Sequence, residues 1–296
     1  MIIAEELFAR KGAVKLAVWR KRPVSQSDHP VVVLVHGSST SARPTFDLAV
    51  PGKAEYSMMD WFTARGFDCW AMDHEGYGRS TVTQSNSDVR CGVEDLRHLI
   101  PLIEERTGRK RVLMYGLSSG ALRAGAFAAA CPDAVERLAL DAFVWTGEGS
   151  PTLAKRKEGV EQFRSQARRP ISEAFIESIF TRDYPGLYEP EVAKACAAAQ
   201  LSYGDSVPSG TYLDMTTALP QVDPAAVRSP TLIVRPQHDG VATVEDLLAF
   251  FARLPSADKQ FVMIPGLTHA STFGIHRRRM WHAVLSFFSA GALGTG

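Results

Sequence analysis

The chain has 296 residues, of which 45% are hydrophobic and 22% are charged, a composition typical of a globular protein with a large core. Its formal net charge of +1 excludes an electrostatic basis for binding nucleic acid or an anionic membrane. Glu5 and Glu6 interrupt the first apolar stretch and no run of about 18 apolar residues occurs, so the sequence predicts a cytoplasmic protein without a secretory signal or membrane span.

Short apolar runs alternate with helical patterns along most of the chain. Strand-like runs occupy residues 13–19, 31–35, 67–72, 111–115, 137–145, 231–235 and 261–264. Helical patterns lie near residues 56–65, 88–106, 119–132, 244–253 and 272–289. The alternation predicts an α/β fold with a mostly parallel central sheet flanked by helices.

Residues 146–227 interrupt this alternation. They contain helical pieces separated by Gly and Pro, and no convincing strand. A stretch of this length is too long for a bare loop, so we expect a helical cap inserted between the two parts of one α/β core, residues 1–145 and 228–296. The alternative is a helical decoration remote from any site. The basic pair Arg168 and Arg169 is expected on a solvated face.

The stretch GLSSG, residues 116–120, contains two adjacent serines between two glycines. Read as G-x-S-x-G, it selects Ser118, because the glycines then stand two positions before and after that serine, where strand and helix must approach closely. An apolar run precedes the motif and an Ala-rich helical pattern follows it, the strand–turn–helix setting of a nucleophile elbow. The alternative is an ordinary turn in which a serine caps the helix.

A serine nucleophile needs a base and an acid that orients the base. Asp239 directly follows the predicted strand 231–235, and His269 follows the predicted strand 261–264. Each lies beyond the end of a strand, where open α/β sheets gather their sites. We therefore predict Ser118, His269 and Asp239 as the catalytic residues. The other histidines considered are expected in structural, rim or helix-face positions: His36, His238, His276 and His282.

The chain resembles the α/β-hydrolase family over nearly its whole length except the cap, and the motifs that carry the likeness follow the expected order. HGSS at residues 36–39 is similar to the family's oxyanion motif, and DHEGYGRS at residues 73–80 is similar to its D-x-x-G-x-G-x-S turn. The elbow, the Asp239 loop and the His269 loop come after them. The resemblance implies an oxyanion hole formed by the backbone N–H groups of Ser38 and Ser119. Asp141 also follows a strand and is an alternative acid, since some family members place it there.

The resemblance implies an acyl-enzyme that water resolves, with a small-molecule substrate and no cofactor. The four cysteines lack metal-ligand spacing, so no metal is expected. Aromatic residues suggest a pocket for a small or medium, partly apolar ester or lactone, with Phe143 and Trp145 predicted to bind substrate; the other candidates are Tyr184, Tyr188, Tyr203 and Tyr212. The alternatives are a carbon–carbon bond hydrolase using the same three side chains, or a non-catalytic ligand-binding protein.

Overall fold

A computed structural model describes residues 1–25 and 28–290. The strands are β1 (Ile2–Lys11), β2 (Val14–Pro23), β3 (Val31–Val35), β4 (Asp68–Met72), β5 (Val112–Leu117), β6 (Val135–Asp141), β7 (Arg168–Pro170), β8 (Ser206–Pro208), β9 (Thr231–His238) and β10 (Lys259–Thr268). The helices are α1 (Ala42–Phe46), α2 (Met58–Thr63), α3 (Val89–Thr107), α4 (Ser119–Ala130), α5 (Pro151–Arg156), α6 (Val160–Ser165), α7 (Glu173–Thr181), α8 (Pro190–Leu201), α9 (Gly210–Thr217), α10 (Val244–Arg253) and α11 (Arg277–Ser289).

The central sheet has eight strands in the order β1-β2-β4-β3-β5-β6-β9-β10. The hairpin β1–β2 is antiparallel, and β2 pairs with β4 in the antiparallel sense. All pairs from β4 to β10 are parallel. The predicted α/β fold with a mostly parallel sheet is confirmed. The parallel strands direct their carboxyl ends to the same edge, where the site lies.

Alternation along the central strands divides the core into two layers. In β3, Val31, Val33 and Val35 contribute to one apolar cluster, while Val32 and Leu34 contribute to the other. The first layer includes buried residues of α3, α4 and α10, and the second includes buried residues of α1, α2 and α11. Both faces of the sheet are therefore covered, which explains why the central strands read as continuous apolar runs.

The hairpin strand β1 was not among the predicted strands. It pairs along its whole length with β2, from Ile2 opposite Pro23 to Lys11 opposite Val14. Its residues alternate between exposed and partly buried positions, so it lacks the apolar run that identified the central strands.

Across the two described ranges, no helix is both long enough and apolar enough to cross a membrane.

The inserted segment, residues 146–227, contains α5 to α9 between β6 and β9. The expectation that it contains no strand is wrong: β7 and β8 pair antiparallel over three residues each. Such short strands carry too few residues for a recognisable alternation. A third apolar cluster joins the segment to loops of the sheet; it includes Ile176, Phe180, Cys196, Ala270 and Phe273. This packing holds the segment over the carboxyl ends of the strands.

Candidate active site

Ser118 lies on the sharp turn between β5 and α4. Its φ of 59° and ψ of −124° are strained for a residue with a side chain. Its N–H donates to the carbonyl oxygen of Asp141 at 2.9 Å, which ties the turn to β6. A Cβ at Gly116 would lie 2.5 Å from the carbonyl oxygen of Gly120, and a Cβ at Gly120 would overlap that of Val35. The close approach of strand and helix therefore requires glycine at both positions, as the register that selects Ser118 assumes.

The structure brings the three predicted catalytic side chains into one hydrogen-bonded chain. His269 Nε2 lies 2.8 Å from Ser118 Oγ, and His269 Nδ1 lies 3.0 Å from Asp239 Oδ1. His269 and Asp239 are buried, with 6% and 4% of their surface exposed. An imidazole in this position can accept the hydroxyl proton on one nitrogen while the carboxylate stabilises the resulting cation.

Asp239 is held in place by a residue of its own loop and by a residue of β9. The N–H of Val241 donates to Asp239 Oδ1 at 2.9 Å, and the Arg235 guanidinium donates to the backbone oxygen of Asp239 at 2.8 Å. Burial alone raises the pKa of this carboxyl, but the charge and hydrogen bond of His269 and the Val241 N–H outweigh it. The pKa of Asp239 therefore lies below its ordinary value, and the group is a carboxylate at neutral pH.

Asp141, the alternative acid, has different partners. Tyr115 Oη donates to Asp141 Oδ2 at 2.6 Å, and the Ser271 hydroxyl donates to the same oxygen. Asp141 Oδ1 has no hydrogen-bond partner among the described residues. Burial raises the pKa of Asp141 to about 7, against the hydrogen bonds from Ser271 and Tyr115, which lower it. The imidazole of His269 is therefore hydrogen-bonded to Asp239 and not to Asp141.

The raised pKa of Asp141 predicts a pH-dependent stability. Between about pH 4 and about pH 7 the folded protein keeps a proton that the unfolded chain has lost, so the stabilising contribution is complete at low pH and disappears as pH rises through 7. We expect Asp141→Asn, which cannot ionise, to gain roughly 2 kcal/mol in unfolding free energy relative to wild type between pH 5 and pH 8. Urea unfolding of both proteins at the two pH values measures this difference. An unchanged difference would contradict a proton on Asp141.

The two predicted oxyanion-hole residues lie next to each other. Ser38 Oγ is 2.9 Å from Ser119 Oγ, and both residues are buried. Ser119 is the first residue of α4, so its N–H has no carbonyl partner within that helix. The carbonyl oxygen of Ser38 accepts hydrogen bonds from Tyr77 Oη at 3.2 Å and from the Arg169 guanidinium at 2.8 Å. These contacts orient the peptide group between Ser38 and Ser39, in the loop after β3.

A narrow cavity, partly open to solvent, borders Ser118. Its walls come from the elbow, the loop after β3, the His269 loop and the inserted segment. The residues contributed by the inserted segment are Arg156, Ile176, Ile179, Phe180, Arg182, Cys196 and Tyr212. The predicted contribution of Tyr212 is observed, whereas Arg156 and Arg182 were not predicted, because nothing in the sequence distinguishes them from the other basic residues of this segment.

Phe143 and Trp145, the predicted substrate-binding residues, do not line this cavity. Phe143 packs against Phe250 of α10 with ring centroids 4.8 Å apart, and Trp145 Nε1 donates to the carbonyl oxygen of Val222 at 3.1 Å. The Asp246 carboxylate accepts the backbone N–H of Trp145 at 2.9 Å and fixes the loop against α10. The prediction is wrong because the chain turns into the core after β6 and buries these large rings there.

Three further expectations concern polar residues. Arg169, expected on a solvated face, is only 4% exposed and lies against the loop that carries Ser38. His238, expected at the surface or pocket rim, stacks on Tyr184 with ring centroids 4.3 Å apart, and both are outside the cavity that contains Ser118. His36 is fully buried, and its Nε2 accepts the N–H of His74 at 3.1 Å, in agreement with a structural position.

Among the described residues, Glu75, Cys91 and Asp95 form a group with the spacing of a cation site. The Lys11 ammonium already lies between these side chains: its Nζ is 2.6 Å from Glu75 Oε2, 3.4 Å from Cys91 Sγ, and forms an ion pair with Asp95. Hydrogen bonds to both carboxylates raise the pKa of Lys11 despite its burial, so the ammonium stays charged. A lysine of β1 that contacts α3 and the loop after β4 therefore occupies the cation position.

A mostly parallel eight-stranded sheet with a serine on a strained strand–helix turn defines an α/β-hydrolase. The model of the family described as serine aminopeptidase, S33, matches residues 26–274. The chain belongs to this family of α/β-hydrolases, and the protein is a hydrolase. The predicted family resemblance is confirmed.

Two curated relatives match much of the chain. The first is 2-hydroxy-6-oxononadienedioate/2-hydroxy-6-oxononatrienedioate hydrolase 2 of Pseudomonas putida, 27% identical over 238 residues, which are 76% of this chain and 77% of the relative. The second is a monoacylglycerol lipase of Mycolicibacterium smegmatis, 25% identical over 274 residues, 90% of each chain. The crystal structure of E-2-(acetamidomethylene)succinate hydrolase superposes with a TM-score of 0.70 at 18% identity, covering 97% of this chain and 100% of that one, and supports the fold alone.

Proposed function

We propose that the protein is a serine hydrolase that cleaves a small or medium, partly apolar carboxylic ester or lactone through an acyl-enzyme. The observation that carries the proposal is the continuous hydrogen-bonded chain from Ser118 through His269 to Asp239, next to a cavity in which a carbonyl group could lie. The monoacylglycerol lipase among the relatives acts on an ester and supports the same reaction class.

In the first half of the proposed reaction, Ser118 Oγ attacks the carbonyl carbon of the substrate. His269 Nε2 takes the hydroxyl proton, and the Asp239 carboxylate, which accepts the hydrogen bond from Nδ1–H, stabilises the imidazolium. The carbonyl oxygen becomes an oxyanion that accepts hydrogen bonds from the N–H groups of Ser38 and Ser119. When the intermediate collapses, the bond to the leaving oxygen breaks and the leaving group takes the proton from His269.

The second half releases the acid. Water, deprotonated by His269, attacks the acyl carbon, and the proton returns to Ser118 Oγ as the ester bond to the enzyme breaks. Each oxyanion-hole N–H is worth about 3 kcal/mol of transition-state stabilisation. The reaction requires no metal or organic cofactor.

We further propose that residues 146–227 act as a cap that shapes the cavity. The cytoplasmic location and the small-molecule substrate stay predictions.

A second candidate is hydrolysis of a carbon–carbon bond on the same three side chains. The relative from Pseudomonas putida is named as a hydrolase of a dienedioate. Two arginines in the cavity wall, Arg156 and Arg182, could hold the carboxylate of such a substrate. Parallel assays with 4-nitrophenyl esters, lactones and a 2-hydroxy-6-oxo-dienoate separate the two reactions. A non-catalytic ligand-binding role is disfavoured because all three side chains are present and hydrogen-bonded.

The direct test is covalent labelling with a fluorophosphonate, which phosphonylates activated serines. We expect the intact mass of the wild-type protein to show one adduct, and that of Ser118→Ala to show none. Both proteins are first shown to be folded by circular dichroism. An adduct retained in Ser118→Ala would overturn the assignment of the nucleophile, and an unlabelled wild-type protein that also leaves every ester, lactone and dienoate uncleaved would overturn the proposed function.

A further inference from the structure

Three arginines of the inserted segment converge on one tyrosine beside Ser118. The guanidinium carbon of Arg169 lies 3.9 Å from the ring centroid of Tyr212, and that of Arg156 lies 4.2 Å from it. Arg182 lines the same cavity as Tyr212 and Arg156. These residues come from separate elements, β7, α9, the end of α5 and the residue after α7, so only the folded segment brings them together.

The three arginines differ in their partners. Arg169 is committed to the core, because it donates to the Ser38 carbonyl oxygen at 2.8 Å and to Ser39 Oγ at 3.1 Å. Arg182 Nε lies 3.4 Å from Asp183 Oδ2. Arg156 forms no ion pair with any described carboxylate, and its one polar contact is a 3.7 Å approach to the sulfur of Met215. Arg156 is thus the cation left available for a ligand.

Arg156, Arg182 and Tyr212 also line an outer cleft between the inserted segment and the loop after β9. The charged side chains of this cleft are Lys155, Arg156, Arg182, Asp183 and Asp239, with His238 at its edge. Asp239 is occupied by His269, and Asp183 is paired with Arg182 and accepts the N–H of Gly240. Because the carboxylates already have partners, the side chains shared by the cleft and the inner cavity favour an anion.

The ionisation of Tyr212 reports the same potential. Burial raises the pKa of its phenol, but the charges of Arg156, Arg169 and Arg182 together lower that pKa to about 7. While the phenol of Tyr212 keeps its proton, the positive charges that favour its ionisation also stabilise a carboxylate that approaches Arg156. The guanidinium can bind such a group through two parallel N–H donors.

We propose that Arg156, stacked on Tyr212 and assisted by Arg182, forms a carboxylate subsite, so that the substrate of the Ser118 site carries a carboxylate in addition to its scissile bond. The assignment rests on the proposed function in one respect: it places that substrate in the cavity shared by Ser118 and Arg156. It does not depend on whether the scissile bond is an ester bond or a carbon–carbon bond.

The kinetic test compares 4-nitrophenyl hemiadipate with 4-nitrophenyl heptanoate, which has similar length but no charge. We expect the wild-type protein to prefer the hemiadipate in kcat/KM. Arg156→Gln should lower kcat/KM for the hemiadipate by about tenfold more than it lowers kcat/KM for the heptanoate. Arg156→Lys, which keeps the positive charge, should retain part of the preference.

A matched control is Arg164→Gln, an arginine of α6 that is 58% exposed in its side chain and lies outside both cavities. It should leave the preference unchanged, which excludes an effect of net charge alone. An equal loss for both substrates in Arg156→Gln, or no preference in the wild-type protein, would overturn the subsite. Thermal unfolding midpoints verify that the compared variants are folded.

A binding measurement separates this assignment from the proposed hydrolysis. Adipate titrated calorimetrically into Ser118→Ala should bind with an affinity that falls with added salt, and Ser118→Ala/Arg156→Gln should lose at least about tenfold of it. If adipate binds in this way but fluorophosphonate leaves the wild-type serine unlabelled and no substrate is cleaved, the subsite stands and the hydrolase proposal fails. If Ser118 is labelled but adipate does not bind and the wild-type protein does not prefer the hemiadipate, the hydrolase proposal stands and the subsite fails.

Discussion

Replacing Ser118 with alanine is expected to lower kcat for a 4-nitrophenyl ester by about a millionfold, to the level of the uncatalysed reaction plus residual binding effects. The reason is that, of the three hydrogen-bonded side chains of Ser118, His269 and Asp239, the Ser118 hydroxyl is the one proposed to form the acyl bond. Initial rates with 4-nitrophenyl butyrate measure the loss. The alanine removes one oxygen from the turn, so the fold is expected to persist.

Ser119→Ala is the matched comparison for this prediction. It removes the neighbouring hydroxyl and its 2.9 Å hydrogen bond to Ser38 Oγ, but keeps the backbone N–H assigned to the oxyanion hole. We expect its kcat to fall by no more than about tenfold, the value of one hydrogen bond. If Ser119→Ala loses as much activity as Ser118→Ala, the register that selects Ser118 is wrong.

Replacing Asp239 with asparagine is expected to lower kcat by about ten-thousandfold. The amide keeps the shape of the side chain, but its NH₂ group can face Nδ1 of His269 and favour the tautomer that cannot accept the proton of Ser118. Because the pKa of Asp239 is lowered, the negative charge that stabilises the imidazolium is present throughout the neutral range. Ester hydrolysis assayed from pH 6 to pH 9 measures the loss and any change in the pH profile.

Asp141→Asn is the control for this second prediction, since it changes another buried carboxyl at the ends of the strands. Asparagine retains an oxygen that can accept the hydrogen bonds of Tyr115 and Ser271, the partners of Asp141 Oδ2. We expect its kcat to stay within about tenfold of wild type. A larger loss in Asp141→Asn than in Asp239→Asn would transfer the role of the acid to Asp141.

Features that depend on neighbouring residues in the chain were predictable. The elbow register follows from the two glycines around Ser118, and α10 spans Val244–Arg253 as its apolar spacing predicted. Element ends were less accurate: α11 begins at Arg277, not near residue 272, and β6 ends at Asp141, not at residue 145. At Ala142 φ is +49°, so the backbone leaves the strand direction although the apolar run continues.

Features that depend on distant residues were not predictable. The sequence showed Phe143 and Trp145 as large apolar side chains near a strand end, but could not decide between a cavity wall and the core. It also showed Arg169 as one member of a basic pair, without its contact to the loop of Ser38, 131 positions away. Burial and partners of this kind are properties of the assembled chain.

By itself, the sequence determined the alternation of the central strands with flanking helices, the serine on the tight turn, and the loops that carry Asp239 and His269. These follow from local periodicity and from the backbone freedom of glycine. Only the tertiary structure decided which carboxylate meets His269 and which inserted residues surround the cavity. The physical reason is that a hydrogen bond or a cluster of charges requires side chains within a few ångströms, and strand order together with packing sets those distances.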